Sequence, residues 1–158
     1  RTVARSSQTG WAALCMAALL IAGCATTGTT GVKTITYKKP DAYNFRFIGL
    51  DTEIDDPSRD RRSYYKIFID KSEEGRTTTG LESQEKSCDA MLQPNRHLVT
   101  VEKWVLDQKT GRYIKLNNIE QPKPNFVYFD LPEDRIVVIE MKTLGDGTSE
   151  FVIDYECR

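Results

Sequence analysis

Arg135-Ile136-Val137-Val138-Ile139-Glu140-Met141-Lys142-Thr143, then Leu144-Gly145-Asp146-Gly147, then Phe151-Val152-Ile153-Asp154-Tyr155-Glu156-Cys157: this C-terminal stretch decides the fold. Apolar residues recur at every second position, the period of a strand with one buried face, and not at the 3.6-residue spacing of a helix. The two runs are joined by a short glycine-punctuated segment, the chemistry of a tight turn. They therefore form an antiparallel hairpin, with Val137, Ile139 and Met141 on one face and Phe151, Ile153 and Tyr155 on the face they share.

The same period extends through most of the chain. Short runs rich in β-branched and aromatic residues are expected to be strands at Val32 to Lys38, Phe45 to Leu50, Tyr64 to Asp70, His97 to Leu106, Tyr113 to Asn117 and Phe126 to Leu131. Asp107-Gln108-Lys109-Thr110-Gly111 reads as a second hairpin joint, with Gly111 where a positive φ is needed. No stretch past the N-terminal region has the pattern of an amphipathic helix, although Asp130 to Arg135 has room for one turn after Pro132. Short strands at this spacing predict an all-β fold, an antiparallel β-sandwich of about seven or eight strands, formed by a single domain over residues 32–158.

Charge narrows the function classes. The chain has 22 basic and 23 acidic residues with signs interspersed, so it lacks the clustered basic patch of a nucleic-acid binder. No polybasic stretch is present to hold anionic lipid.

At the N-terminus, Arg1 and Arg5 form a positive segment with no acid before Cys24, and Trp11 to Ala22 form an apolar run. A helix of that length spans about 18 Å, short of the ~30 Å hydrocarbon core of a bilayer. The run ends in Leu20-Ile21-Ala22-Gly23-Cys24, which resembles the lipobox of bacterial lipoproteins. Ile21, Ala22 and Gly23 supply the branched and small residues a signal peptidase needs before a cysteine. The resemblance implies a signal peptide over 1–23 and acylation of Cys24, with several acyl chains as a firm membrane anchor. Without Arg1 and Arg5, the mature chain of about 135 residues has a net charge of about −3, enough length for one core. Ala25 follows the cysteine, where a residue other than Asp is permissive for the outer membrane in the families resembled. Residues 24–31 then read as an acylated, glycine-punctuated flexible tether, and the domain is expected to be periplasmic or surface-facing.

Cys15 leaves with that signal peptide and Cys24 is acylated, so the folded body keeps Cys88 and Cys157. In an oxidising envelope these two are expected to form a disulfide, which would contribute about 4 kcal/mol on the chain-entropy model. Two free thiols are the alternative. No CxxC or HxxxH spacing suggests a zinc site.

Lys66-Ile67-Phe68-Ile69-Asp70, Gly75-Arg76-Thr77-Thr78-Thr79-Gly80-Leu81 and Leu92-Gln93-Pro94-Asn95-Arg96-His97-Leu98-Val99-Thr100-Val101 together resemble the PEGA-type envelope domain over about a third of the mature chain. In that family a strand ending in Asp is followed by a Gly-x-Thr segment and a Leu-x-Pro-Gly-x-His-x-Val turn. Here the motif turn has Pro94, Asn95 and His97, with Asn95 in place of glycine, a residue that tolerates the left-handed conformation. The resemblance implies a small attachment or assembly domain without enzymatic activity, in which His97 starts a strand and satisfies local backbone groups.

Catalytic alternatives are weakly signalled. No Gly-x-Ser-x-Gly or equivalent is present. The acidic run Asp51-Thr52-Glu53-Ile54-Asp55-Asp56 departs from the calcium-loop pattern, because Asp56 stands at the sixth position, where that loop has glycine, and Arg62 at the twelfth, where it has Glu. With Arg59, Arg61 and Arg62 following, it reads as a solvated loop with internal ion pairs. Tyr43, Tyr64 and Tyr65, with Phe45, Phe47 and Phe68 nearby, are candidate binding aromatics or core. The expectation is a lipid-anchored, non-enzymatic binding, tethering or assembly module, with no catalytic residue, metal or cofactor. Its partners are the membrane through Cys24 and an envelope protein or peptidoglycan glycan. An envelope hydrolase or its accessory subunit, and a surface adhesin, are the alternatives.

Overall fold

The computed structural model describes residues 42–158. The lipobox, Cys24, the tether and the expected strand at Val32 to Lys38 lie outside the described residues. Within them the fold is all-β, with no α-helix. Ten strands run β1 (Phe45–Asp51), β2 (Arg62–Ile69), β3 (Ser72–Arg76), β4 (Gly80–Leu81), β5 (Lys86–Ala90), β6 (Arg96–Asp107), β7 (Arg112–Lys115), β8 (Phe126–Asp130), β9 (Arg135–Thr143) and β10 (Ser149–Cys157). A 3-10 turn, Pro57–Arg59, is capped by the Asp56 side chain. Glu133 and Asp134 make a turn after Pro132, outside any helix.

The strands make two sheets not closed into a barrel, a β-sandwich arrangement. One sheet has the order β10-β9-β1-β5 and the other β3-β2-β6-β7, with β4 on β2 and β8 on β6. The β9–β10 hairpin pairs Val137 with Tyr155, Ile139 with Ile153 and Met141 with Phe151, and Gly147 takes a φ of 84° in its turn. Gly111 likewise has a φ of 66°. One pairing departs from the antiparallel expectation: β1 runs parallel to β9, with Phe47 beside Ile139. A parallel neighbour needs a long crossover, and the whole of the second sheet lies between β1 and β9 in sequence.

The core is the meeting of the two inner faces. Phe45 and Phe47 of β1, Tyr65, Ile67 and Ile69 of β2, Val99 and Val101 of β6, and Val137, Ile139 and Met141 of β9 form one buried cluster. Each such side chain contributes about 1.5–3 kcal/mol when fully removed from water. Asn44 ties β1 into the end of this core. Its amide donates to Leu92 O and its carbonyl oxygen accepts from Leu92 N, both at 2.8 Å.

The expected disulfide is not formed. Cys88 and Cys157 are free thiols on the two opposite edge strands of the four-stranded sheet. Cys88 pairs with Phe47, Phe47 with Ile139 and Ile139 with Ile153, while Cys157 is four residues further along β10. Three lateral steps of about 4.8 Å separate the two strands, far beyond the ~7 Å Cα separation that a disulfide spans.

Candidate functional site

At one end of the sandwich the chain leaves a cleft of about 560 Å³ between the end of β1, the 51–61 loop, the 116–122 loop and the β9–β10 turn. Its floor is ionic. Lys103 sits on the inner face of β6 between Val101 and Val105, where a buried ammonium needs anions. It finds two: Asp51 at the end of β1, in close contact, and Glu82 after β4, at 2.8 Å. Arg61 closes the cluster with a two-point contact to Glu82, at 3.2 Å from Nε and 3.0 Å from the terminal nitrogen. Tyr65 donates its hydroxyl to the other Asp51 oxygen at 2.9 Å.

The charges are tuned by these contacts. Burial opposes ionisation of Glu82, but hydrogen bonds and charge from Arg61 and Lys103 outweigh it and hold the carboxyl below its usual range. Burial and the facing Asp51 carboxylate push the Tyr65 phenol well above its ordinary value. Lys86, also buried, donates to the Leu81, Glu82 and Gln84 carbonyls, and burial pulls its ammonium down to about 8. Gln121 mimics a strand beside Lys103, accepting from its amide at 2.8 Å and donating to its carbonyl at 3.0 Å. The floor is thus a set of mutually neutralised groups, with Glu82 ionised at neutral pH.

The acidic run expected to be a solvated loop is divided. Asp51 belongs to the buried cluster, and Arg61 turns to Glu82 rather than to its acidic neighbours. Glu53, at a φ of 64°, accepts from Gly145 N at 3.0 Å and pins the loop to the β9–β10 turn. Among the described residues no group of His, Cys, Asp and Glu is arranged to hold a metal.

A second surface is the outer face of the six-stranded sheet. Solvated faces of antiparallel sheets are ordinarily polar; this one carries aromatic residues along β2, β6, β7 and β8. Tyr64 stacks on Trp104 with ring centroids 6.0 Å apart and meets Tyr113 edge-on at 5.1 Å. Lys66 lies over the Trp104 ring and Arg76 over Tyr64. Further along, Phe126 pairs with Thr100 and Tyr128 with Leu98, and both aromatics are exposed, at 48% and 54%. Phe68 and Leu98, half-buried, lie on the same face.

The three tyrosines singled out from sequence do not form one patch. Tyr65 is core, packed edge-on against Phe47. Tyr64 is on the outer face, buried by its aromatic and cationic neighbours. Tyr43 precedes β1 on the other sheet, under the Arg46 guanidinium at 4.4 Å. On this outer face the accessible aromatics are Phe126 and Tyr128, legible in sequence only as the outer alternate of the β8 run.

The motif turn is a junction between strand ends. His97 Nδ1 is 2.6 Å from Asp70 Oδ2 and Nε2 is 2.7 Å from Gln93 O, while Leu98 N donates to Asp70 Oδ1 at 2.9 Å. Asp70 and Lys71, at φ of 50° and 69°, make the tight β2–β3 turn. Pro94 and Asn95 are exposed in the turn before β6, and Asn95 O accepts from Leu131 N at 2.9 Å. The left-handed residues are Asp70 and Lys71 here, not Asn95; the turn is closed by side-chain bonds and needs no glycine at that point.

No family model, curated protein or solved structure matches this chain.

Proposed function

We propose that the protein is a lipid-anchored bacterial cell-envelope lipoprotein whose β-sandwich acts as a non-enzymatic binding, tethering or assembly module. The address comes from sequence: the positive segment, the apolar run and Ile21-Ala22-Gly23-Cys24, with Ala25 permitting the outer membrane. The observation that supports the binding role is the aromatic outer face of the six-stranded sheet, where Phe126 and Tyr128 stand exposed across from Thr100 and Leu98, with Phe68 on the far side of Thr100. Aromatic side chains exposed together on one sheet face are the kind of surface that marks an interaction site. A flat, aromatic-rich face fits an envelope protein partner, with large rigid side chains as anchors. The competing hydrolase reading draws on the cleft, but its two carboxylates, Asp51 and Glu82, are both bridged by Lys103, and Glu82 is held ionised.

The test is cross-linking in intact cells, followed by mass spectrometry, on the native protein, a Cys24→Ala form and a Phe126→Ala/Tyr128→Ala form. An envelope protein captured at near-stoichiometric yield, and lost in both variants, supports an anchored module that binds through this face. Capture that survives the aromatic double variant removes the face from the reading. Capture of nothing, with the domain folded and monomeric, counts against the tethering role.

A further inference from the structure

Strand β10 is the outermost strand of the four-stranded sheet, and beyond Ser149 its outer edge has no partner among the described residues. At its start, Ser149 N donates outward to Lys123 O at 2.9 Å, whereas Thr148 O faces inward and accepts from Leu144 N at 2.8 Å. Amide and carbonyl of one strand residue point the same way and reverse at the next. The backbone groups of Phe151, Ile153, Tyr155 and Cys157 therefore also point outward, an unpaired row about 20 Å long at ~3.4 Å per residue.

The side chains on either side of that row differ. On the outer face are Glu150, Val152, Asp154 and Glu156, all exposed. Arg46 and Lys142 feel Glu156 and Glu150, but they are engaged by Asp89 and Glu140. On the inner face, Phe151 and Ile153 are half-buried and Tyr155 is 43% exposed, while Val137, Ile139 and Met141 on the adjacent strand are fully covered. The core is thus incomplete along this edge.

We propose that the β10 edge accepts an extended segment of a partner protein in which Lys or Arg alternates with apolar residues, adding a fifth strand to the sheet. Main-chain bonds to Phe151, Ile153, Tyr155 and Cys157 give the pairing. The apolar residues of the added strand cover Phe151, Ile153 and Tyr155, and its cations lie beside Glu150, Asp154 and Glu156 across a ~4.8 Å spacing. A second copy fits poorly. Antiparallel pairing of β10 with itself about Ile153 sets Glu150 against Glu156 and Asp154 against Val152, and like charges across a pair are destabilising. This site lies on the opposite sheet from the aromatic face and does not depend on it.

The test uses the full chain in detergent, a synthetic peptide of alternating Lys and Val, and a matched peptide of alternating Glu and Val. The expected result is at least tenfold tighter binding of the lysine peptide, with amide exchange at Phe151, Ile153, Tyr155 and Cys157 slowed at least tenfold on binding. Asp154→Lys with Glu156→Lys, both on exposed positions, reverses the preference between the peptides. Absence of binding overturns the proposal. Binding that leaves those four amides fast is surface charge attraction and overturns it as well. Amides already slow in the peptide-free chain mean that the edge is filled by residues 32–39 or by a second copy, the two being separated by dilution, and this too overturns it. The Phe126→Ala/Tyr128→Ala form is expected to bind the lysine peptide unchanged, so failure here and failure of the aromatic-face reading are told apart.

Discussion

Lys103 and Glu82 form a buried ion pair at the floor of the cleft, 2.8 Å apart with side chains 4% and 5% exposed. Removing one member of such a pair leaves an uncompensated charge away from water, a loss of about 3–5 kcal/mol. Lys103→Met is therefore expected to destabilise the domain by that amount. Glu82 keeps Arg61 after the change, and Asp51 keeps the Tyr65 hydroxyl. Denaturant unfolding measures it; a loss under 1 kcal/mol shows that water reaches the cluster through the cleft.

His97 gives a pH dependence with a definite sign. Both its ring nitrogens face acceptors, the Gln93 carbonyl and the Asp70 carboxylate, and only the doubly protonated ring donates to both. Burial opposes the charge, but these two bonds outweigh it and raise the pKa above 6.5. A raised folded pKa means stability that is fully present below the unfolded value and lost as pH rises through the folded one. Melting temperatures of native protein and His97→Gln are expected to lie apart below pH 6.5 and to converge as pH rises above it. Parallel pH profiles refute the assignment.

Lys86 has the opposite sign. Its folded pKa of about 8 lies below the ordinary 10.5, so the unfolded chain binds the extra proton between those values. The cost of burying the ammonium is present below pH 8 and is relieved as pH rises toward 10.5. Relative to Lys86→Met, the native protein is expected to gain stability over that interval in chemical denaturation; a flat difference shows that the amine stays charged.

The elements legible in sequence were those whose alternation is strong. Arg135–Thr143 and Ser149–Cys157 show a β-branched and aromatic face with glycine between them, and each pairs as its pattern requires. Ser72–Arg76 and Lys86–Ala90 do not: one reads Ser-Glu-Glu-Gly-Arg and the other Lys-Ser-Cys-Asp-Ala, with no β-branched residue in either. They become strands because β2 and β1 offer them ladders, a tertiary effect that propensity does not report. The parallel contact of β1 with β9 is invisible for a similar reason, since a period of two is the same in both directions. The buried cluster left one readable trace, Lys103 at an inward position in Val99-Thr100-Val101-Glu102-Lys103-Trp104-Val105. Its partners Asp51, Glu82 and Arg61 come from distant segments with no local signal.

The cysteines test the sheet order directly. Cys157 is exposed at the end of β10, whereas the Cys88 thiol lies near Gly75 and is pushed by burial up to about 12. The thiolate is the reactive form. Maleimide is expected to label the peptide containing Cys157 within minutes in native buffer and the one containing Cys88 only in denaturant. A Cys88–Cys157 linked peptide in a non-reducing digest contradicts this sheet order.

Gly49 shows how tightly the core meets its ionic end. It lies on β1 between Phe47 and Asp51, and a methyl group placed there would sit 2.7 Å from Tyr65 Cε2 and 2.9 Å from Phe47 Cε1. Carbon atoms do not approach so closely, so one ring must move. Phe47 is locked in the centre of the core, and Tyr65 is held by its hydrogen bond to Asp51. Moving Tyr65 therefore disturbs the Asp51–Lys103 contact as well as the packing. Overpacking of this kind costs about 1–3 kcal/mol. Gly49→Ala is expected to lose at least that much in denaturant unfolding. Since the same tyrosine carries both effects, Gly49→Ala combined with Tyr65→Phe should lose less than the sum of the two single changes. Simple additivity would mean that the Phe47 ring, and not Tyr65, gives way.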